Sequence, residues 1–294
     1  MSRSTLPAAS TAAAARRFQG ARRRGAALPR GAGPGSFCPL SYTILEPPSM
    51  ASRTARPEVL PAPAEKAAQV RRMFSSIAPR YDLLNHLLSL NVDRLWRRRA
   101  VDRLGWERAP EGVYLDNCAG TLDLAVELAR RPGFRGRVVG SDFTFAMLER
   151  GVGKTERLPV RPACADALAL PFADATFDGV TVGFGVRNLA DLDAGLRESA
   201  RVLKPGAKLV ILEFTTPSWQ PFRGAYLFYF LRVLPLVGRL VSSNSSAYTY
   251  LPESVLQFPE PPELAEKMGR AGFDAVGWRT LSGGIAALHW GTKR

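Results

Sequence analysis

An acidic residue follows each of two hydrophobic segments in the first half of the chain. Asp116 ends the run that begins at Val113, and Asp142 directly follows Arg137–Ser141. An ionised carboxylate is acceptor-only, so Asp142 is suited to receive both hydroxyl donors of a cofactor ribose. A short loop with Gly120 leads from the first acid into an amphipathic segment. This order predicts a strand, a tight turn and a helix N-terminus, the arrangement that binds nucleotide-type cofactors.

The loop after the first acid is not of the dinucleotide-binding kind. Residues 116–121 read D-N-C-A-G-T, so the G-x-G-x-x-G spacing of dinucleotide-binding turns is absent. The order resembles the D-x-x-x-G-T pattern of S-adenosylmethionine (SAM) methyltransferases. SAM is therefore the cofactor that this loop favours.

Strands and helices alternate through the middle of the chain and would place both acids at one edge of a sheet. Hydrophobic runs predict strands at Val113–Leu115, Val138–Gly140, Gly179–Val182 and Lys208–Phe214. Amphipathic segments predict helices at Leu122–Arg130, Thr144–Arg150 and Leu192–Val202. Lys204-Pro205-Gly206 predicts a helix stop and a turn before the last of these strands. Such alternation indicates a parallel sheet with helices on both faces.

The flanking segments follow other patterns. Ala67–Arg103 predicts two helices with a bend near Ala78–Arg80, because Pro79 interrupts the helical spacing. Residues 215–257 contain no strand pattern and predict an insertion that lies over the C-terminal edge of the sheet and covers the substrate. A helix is predicted at Pro262–Ala271. It is followed by a hairpin with strands at Ala275–Thr280 and Ile285–Trp290, of which the second is antiparallel to the sheet.

The first 64 residues form a leader, and residues 65–294 form the folded domain. The chain carries a net charge of +14, and residues 1–49 contain seven arginines and a single acid, Glu46. An Arg-rich, acid-poor leader resembles an organellar transit peptide. The alternative is upstream sequence before a true start at Met50. Both interpretations remain open at this stage.

The composition argues against several classes of site. Cys38, Cys118 and Cys164 have no CxxC spacing and an odd count, which indicates a reduced compartment and no structural zinc. With only two histidines in the chain, no metal site is predicted. The basic charge could attract nucleic acid, but no stacking motif or zinc-finger spacing supports that class of partner.

The most apolar segment, Ala225–Val241, does not span a membrane. It is broken by Arg232, Pro235 and Arg239 and is too short. The segment predicts a helical pair with a basic edge, which would lie against a lipid surface or cover an apolar pocket. An ordinary buried helix is the alternative.

Several longer segments resemble the ubiquinone/menaquinone C-methyltransferase family. The match covers about residues 70–293, and FGVRN (184–188) and YTYLPES (248–254) are its most specific parts. The other matching segments are Met73–Arg98, Ala165–Leu196, Arg201–Phe214 and Leu281–Lys293. The resemblance implies a class I SAM-dependent methyltransferase (Rossmann-like) fold with a mostly parallel seven-stranded sheet. It also implies transfer of a methyl group from SAM to a ring carbon of a polyprenylated quinol.

The resemblance also implies a role for individual residues. Asp116, Gly120 and Thr121 match the loop near the methionine part of SAM, and Asp142 matches the acid that binds the ribose. The pair beside the adenine is Asp166 and Ala167.

Three positions depart from the family pattern. The family usually has G-G-T-G-D where this chain has Ala119-Gly120-Thr121-Leu122-Asp123, and a family serine that contacts SAM falls at Gly183. Ala119 and Leu122 lack the freedom that glycine has for positive φ. A different loop shape or cofactor affinity is therefore expected.

Methylation of carbon needs a deprotonated ring hydroxyl that pushes charge onto the neighbouring carbon. Arg187 is the predicted partner of that oxygen, and Asn188 is expected to orient the ring or a water that accepts the proton. The alternative for Arg187 is a surface salt bridge with Asp191 or Asp193. Second-rank candidates are Tyr248, Tyr250, Glu253 and His289. Arg97–Arg99 is interpreted as a solvated helix face.

The favoured substrate is a naphthoquinol, demethylmenaquinol or demethylphylloquinol. The benzoquinol of ubiquinone synthesis, a non-catalytic SAM-binding scaffold and an RNA methyltransferase are the competing functions. The expected location is the cytoplasmic face of a membrane, or the chloroplast if residues 1–49 are a transit peptide. The oligomeric state, including a homo-oligomer, is left open.

Overall fold

The structure is a computed structural model, and it describes residues 63–82, 89, 91–233 and 246–294. The predicted leader therefore lies almost wholly outside the described residues, as does the second half of the apolar segment 225–241. Within the described ranges, no helix combines the length and the apolar character that crossing a bilayer requires.

A single sheet of seven strands runs through the described domain. Its strands are β1 (Val113–Asn117), β2 (Arg137–Asp142), β3 (Val160–Cys164), β4 (Phe177–Gly183), β5 (Leu203–Phe214), β6 (Phe273–Leu281) and β7 (Ala286–Lys293). The strand order is β3-β2-β1-β4-β5-β7-β6, with parallel pairing throughout except that β7 is antiparallel to both of its neighbours. The predicted fold class, a mostly parallel sheet that closes with an antiparallel hairpin strand, is confirmed.

Eight helices accompany the sheet in the described residues. They are α1 (Pro63–Ile77), α2 (Val92–Leu104), α3 (Asp123–Ala129), α4 (Phe145–Val152), α5 (Leu192–Val202), α6 (Gln220–Phe228), α7 (Ser246–Gln257) and α8 (Pro261–Arg270). A 3₁₀ turn follows α1 at Ala78–Arg80, where the bend was predicted, and α6 continues as a π-helical turn at Tyr229–Val233. Helix α5 has the predicted bounds.

The two faces of the sheet carry separate cores because side chains alternate along each strand. Val210 and Leu212 of β5 face the core that contains α2, α3 and α4. Leu209 and Ile211 face the core that contains α5 and α8. All four side chains are fully buried, so β5 is a central strand that both layers cover.

Two predictions about the strands need correction. The Lys204-Pro205-Gly206 turn lies inside β5 instead of before it: Leu203 pairs with Phe177 and Lys208 with Gly179, so the extra residues form a bulge. Gly206 has φ 80° there, which a residue with a Cβ rarely adopts. Strand β3 had no counterpart in the individual strand predictions, because it is a short edge strand in which Pro162 interrupts the pattern.

A third apolar cluster lies beyond the end of β5, where the insertion meets α1. Its buried members are Met73 from α1, Tyr226 and Phe230 from α6 and the π-helical turn, and Val255 from α7. Phe214 at the end of β5 and Tyr250 of α7 pack against them. We call this group the apolar cap. It places the insertion helices at the C-terminal end of β5, beside the loop that follows β4.

Candidate active site

A cleft opens at the C-terminal edge of the sheet. It measures about 730 Å³, including space that is open to solvent. Its walls come from the loops after β1, β2, β3 and β4, and α1 covers one side with Ala67 and Phe74. The cleft therefore lies where open α/β sheets place their ligands.

Asp142 links two loops of this cleft. One carboxylate oxygen accepts a hydrogen bond from the Gly120 amide (2.9 Å), and the other accepts one from the Thr144 amide (2.8 Å). Burial raises the pKa of Asp142, and the two amides oppose that rise. A carboxylate has about four acceptor sites, so this one keeps capacity for the two hydroxyls of a ribose.

Asp116 holds the start of α3 and does not line the cleft. Its carboxylate accepts from the Ala125 amide (3.0 Å) and from the Thr181 hydroxyl (3.1 Å). Burial raises the pKa of Asp116 to about 7, although both hydrogen bonds lower it. The structure thus places Asp116 behind the loop, where it fixes the turn that carries Gly120.

Thr121 also lies behind the loop, in a network that ties it to the N-terminal segment. Its hydroxyl donates to Asp82 (2.6 Å) and accepts from Lys154 (3.0 Å), which in turn pairs with Asp82 and Asp123. At the other end of the same segment, Lys66 of α1 donates to the Leu189 carbonyl (2.8 Å). The segment 63–82 is therefore anchored on both sides of the cleft.

The acid of the third loop lies at the opposite wall. Asp166 and Ala167 line the cleft together with Leu168, and the Asp166 carboxylate accepts from the Leu168 amide (2.9 Å). This bond fixes the turn and leaves acceptor capacity for an exocyclic amine. The structure thus brings Gly120, Asp142, Asp166 and Ala167 to one cavity.

The unusual residue Leu122 adopts the backbone conformation that glycine would favour. It has φ 68° and a fully buried side chain. A Cβ at Gly140 would lie 2.2 Å from Leu122 Cδ2, and one at Gly151 would lie 2.9 Å from Leu122 Cγ. Gly140 therefore makes the space that this leucine fills, whereas a Cβ at Gly151 would first meet the Thr121 carbonyl oxygen (2.6 Å). Burial of the Leu122 side chain offsets the cost of the strained backbone.

Gly183 has a similar explanation. A Cβ there would lie 2.6 Å from Leu124 Cδ1. The side chain of α3 thus occupies the place of the serine that was expected from the family pattern.

Arg187 is buried and paired, but not with the residues that were considered for it. Its side chain is 7% exposed, and Nη1 donates to the Phe184 carbonyl and to Glu213 (2.6 Å), which is 1% exposed. Asp191 instead caps α5, and Asp193 pairs with Lys267. The alternative of a surface salt bridge with Asp191 or Asp193 is therefore wrong.

Asn188 joins the cofactor cleft to the apolar cap. It lines the cleft, and its side-chain oxygen accepts a hydrogen bond from the Tyr250 hydroxyl (3.0 Å). The Arg187 guanidinium lies 5.5 Å from the centre of the Phe214 ring, at the edge of the cap. The cation of Arg187, the amide of Asn188 and the phenol of Tyr250 therefore lie where the cofactor cleft borders the apolar cap.

The other candidates have different surroundings. His289 lies on β7 with Nε2 3.1 Å from the Pro261 carbonyl, and burial lowers its pKa to about 4. Glu253 is exposed, and the side chain of Tyr248 lies outside the described residues. Only Tyr250, among the four second-rank residues, contacts the predicted catalytic pair in the described part of the chain.

Arg97 also differs from its prediction. It is buried and pairs with Asp93 and with Asp123 (3.3 Å), so the interpretation of 97–99 as a solvated face is wrong at this residue. Arg98 and Arg99 are exposed. Arg97 supports the Asp123 end of the network around Thr121.

Two residues of the site were not found in the sequence. Glu213 follows a fully hydrophobic stretch at the end of β5, and a charge in such a place is a signal for a paired site. Tyr226 falls within the apolar segment Ala225–Val241, whose pattern does not single it out. The described residues contain no group of three or more metal-ligating side chains.

A comparison with protein families decides how this geometry is interpreted. The model of the ubiE/COQ5 methyltransferase family matches residues 63–293. The chain belongs to this family. The family predicted from FGVRN and YTYLPES is thereby confirmed, and the matched range includes every residue of the cleft described above.

Relatives in this family cover the same range. A demethylmenaquinone methyltransferase of Thermus thermophilus is 52% identical over 75% of this chain and 100% of its own length. A protein of the same name from Deinococcus radiodurans is 49% identical over 78% of this chain and 95% of its length. The UbiE protein of Geobacter sulfurreducens, named a ubiquinone/menaquinone biosynthesis C-methyltransferase, is 46% identical over 78% and 90%.

Solved structures support the fold alone. A SAM-dependent methyltransferase from Thermotoga maritima aligns with a TM-score of 0.52 at 20% identity, over 76% of this chain and 99% of its own. The [4+2]-cyclase SpnF aligns with a TM-score of 0.57 at 17% identity, over 80% and 97%. Since one of these proteins is named a cyclase, the chemistry has to be argued from the site.

Proposed function

We propose that the protein transfers the methyl group of SAM to a ring carbon of a prenylated naphthoquinol, such as demethylmenaquinol or demethylphylloquinol. The observation that carries this proposal is the position of Arg187 and Asn188. They lie between a cleft with acceptors for a nucleoside and a cap of apolar side chains. A lipid-soluble quinol needs an apolar environment for its tail and polar groups at its ring, and both adjoin the cofactor cleft here.

The residues of the cleft fit SAM by their chemistry. Asp142 would accept the ribose hydroxyls, and Asp166 would accept the exocyclic amine of the adenine. Gly120 and its loop would face the methionine part, with Asp116 and Thr121 fixing the loop from behind. SAM supplies a reactive methyl cation equivalent when bound, so the protein mainly positions the two reactants.

Arg187 would stabilise the negative charge that develops on a ring oxygen of the quinol. Because Glu213 already balances its charge, the guanidinium can act through its remaining N–H donors without leaving an unpaired buried cation. Asn188 would orient the ring or a water that accepts the hydroxyl proton. A positioned donor of this kind typically contributes a factor of about 100–1000 to the rate.

The direct test uses protein that starts at Met50, labelled SAM and three reduced substrates. These are demethylmenaquinone, demethylphylloquinone and the benzoquinol precursor of ubiquinone. We expect label in the naphthoquinols, and preference for the benzoquinol would support ubiquinone synthesis instead. No transfer to any quinol, by protein that binds SAM, would refute the enzyme and favour a scaffold.

We also propose that α6 contacts a membrane surface, from which the quinol would enter. Phe228 is 67% exposed, and Leu231 and Arg232, three and four residues further along the same helical run, are exposed too, which puts the three side chains on one face. We call Phe228 and Leu231 the apolar patch. Aromatic and basic side chains together suit the interface of a bilayer with anionic lipid.

The membrane proposal can be tested with vesicles of phosphatidylcholine and phosphatidylglycerol. Phe228→Ser with Leu231→Ser should lower the vesicle-bound fraction about tenfold or more, while activity on a short-chain quinol in detergent is kept. Trp278→Ser on β6 is the matched control, because Trp278 is an exposed tryptophan outside the patch. Equal binding of both variants and the wild type would refute the contact.

A further inference from the structure

Two buried polar groups beside the apolar cap lack a hydrogen-bond partner among the described residues. They are Nε of Arg187 and the hydroxyl of Tyr226. The Arg187 side chain is 7% exposed and Tyr226 is 8% exposed. Buried donors are nearly always satisfied in folded proteins, so each such exception asks for an explanation.

The two groups lie near one another although they belong to different elements, because the charge of Arg187 acts on Tyr226. Arg187 lies on the 3₁₀ turn at Val186–Asn188, and its guanidinium lies against the Phe214 ring. Tyr226 comes from α6, stacks on Phe230 with ring centres 5.0 Å apart, and belongs to the cap against which Phe214 packs. Burial raises the pKa of Tyr226, and the nearby charge of Arg187 lowers it to a smaller extent.

The protein uses the Nη1 donors of Arg187 and leaves Nε without a partner among the described residues. Nη1 serves the Phe184 carbonyl and Glu213, which fixes the plane of the guanidinium. Phe184, Glu213 and Phe214 belong to the end of the sheet, so this plane is rigidly held. A fixed donor that points to no protein acceptor is suited to an oxygen that a ligand brings.

We propose that the Tyr226 hydroxyl and Arg187 Nε both donate to one ring oxygen of the quinol, the oxygen next to the carbon that receives the methyl group. The inference rests on the proposed function and adds Tyr226 to it as a second donor of an oxyanion site. Tyr226 keeps its proton throughout, because burial holds its pKa well above the usual range.

Methyl transfer to the ring begins with deprotonation of the quinol. The ring hydroxyl loses its proton to water, and the negative charge on the oxygen is shared between Arg187 and Tyr226. The ring carbon forms a bond to the methyl carbon as the sulfur–methyl bond breaks, and the bonding electrons go to sulfur, which becomes a neutral thioether. Loss of the proton from the same ring carbon to water restores the aromatic ring, and the ring oxygen then regains a proton from water, so that one proton is released in total.

The test is Tyr226→Phe, with Tyr229→Phe as the matched control. Tyr229 is the nearby tyrosine of the π-helical turn, and it is 37% exposed. We expect Tyr226→Phe to lower kcat about 100-fold and to move the acidic limb of the kcat–pH profile up by about one pH unit, since one hydrogen bond to a charged oxygen is lost. SAM affinity should not change, and Tyr229→Phe should match the wild type.

A binding measurement separates this role from a structural one. The probe is a nitronaphthol, whose anion absorbs visible light. When it binds to protein loaded with S-adenosylhomocysteine, the pKa of its hydroxyl should be lower than in free solution. Tyr226→Phe should reverse that lowering by about one unit, and Tyr229→Phe should not.

Two outcomes would overturn the inference: an unchanged nitronaphthol pKa in Tyr226→Phe, or unchanged kcat together with a higher melting temperature. The second would mean that the hydroxyl is only an unsatisfied buried group. If the wild type methylates no quinol, the proposed function fails, and the nitronaphthol titration still decides whether the two donors meet at one oxygen.

Discussion

The two sides of the cleft differ in how their polar groups are satisfied. On the cofactor side, the carboxylates of Asp116 and Asp142 each accept two hydrogen bonds from the protein, so the loops are fixed before any ligand binds. On the side of the apolar cap, Arg187 Nε and the Tyr226 hydroxyl have no partner in the described chain. The first side is built to be rigid by itself, whereas the second is completed by a polar atom of its ligand.

The largest effect should come from removing the charge pair on the cap side. The double variant Arg187→Met with Glu213→Gln should lower the rate of methyl transfer about 1000-fold, as measured with labelled SAM. Its dissociation constant for SAM should stay within about threefold of the wild-type value. Arg187→Met alone should also lower the free energy of unfolding by about 3–5 kcal/mol, because Glu213 is left buried and unpaired.

The double variant therefore separates chemistry from folding. If it keeps the unfolding free energy of the wild type and also keeps activity, Arg187 has only a structural role.

The next effect tests the cofactor side. Asp142→Asn should weaken SAM binding about 10- to 100-fold, because a hydrogen bond to a charged acceptor is lost, and calorimetric titration measures this directly. At saturating SAM, kcat should change little. Asp174→Asn is the control, since the Asp174 carboxylate is well exposed and pairs with Arg201 away from the cleft. A change in the KM for quinol at unaltered SAM affinity would contradict the assignment.

A smaller effect concerns the segment that closes the cleft. Lys66→Met and Asp82→Asn each remove an anchor at one end of residues 63–82, and each should speed SAM dissociation about fivefold, the value of one ordinary hydrogen bond. Stopped-flow fluorescence with excess unlabelled SAM gives the rate. Arg72→Met, on the exposed side of α1, should leave it unchanged, and equal rates in all three variants would show that the segment does not gate the cofactor.

The smallest effect is on the pH dependence of stability. The pKa of Asp116 is about 7 in the folded protein, above its value of about 4 in an unfolded chain. The folded state therefore binds the proton more tightly, and this contribution to stability, present at pH 4, is lost as the pH rises through 7. Between pH 5 and 8, the melting temperature of Asp116→Asn should therefore fall by roughly 3–6 °C less than that of the wild type. Parallel curves of melting temperature against pH for the two proteins would contradict the assigned pKa.

The sequence was sufficient for most of the fold because buried strands and amphipathic helices have clear periodic patterns. Strand β3 was missed because its exposed positions and Pro162 leave no such pattern. Local motifs placed Gly120 and Asp142 correctly near one another, since both lie at strand ends. Their roles toward SAM stay predictions.

Pairings across the fold could not be found in this way. The partner of Arg187 is Glu213 on the neighbouring strand, and nearby Asp191 and Asp193 were more obvious by distance along the chain. Arg97 was hidden in a run of three arginines. Its place in the helical stripe of buried Trp96, Ala100, Val101 and Leu104 was the available signal.

The packing of Leu122 limits how this loop can change in evolution or by design. Restoring the family's glycine at this one position would leave a hole, because Gly140 has no side chain to fill it. Adding a side chain at Gly140 while the leucine is present would cause a clash. A single change at either position therefore gives poor packing, so a redesign of this loop has to change positions 122 and 140 together.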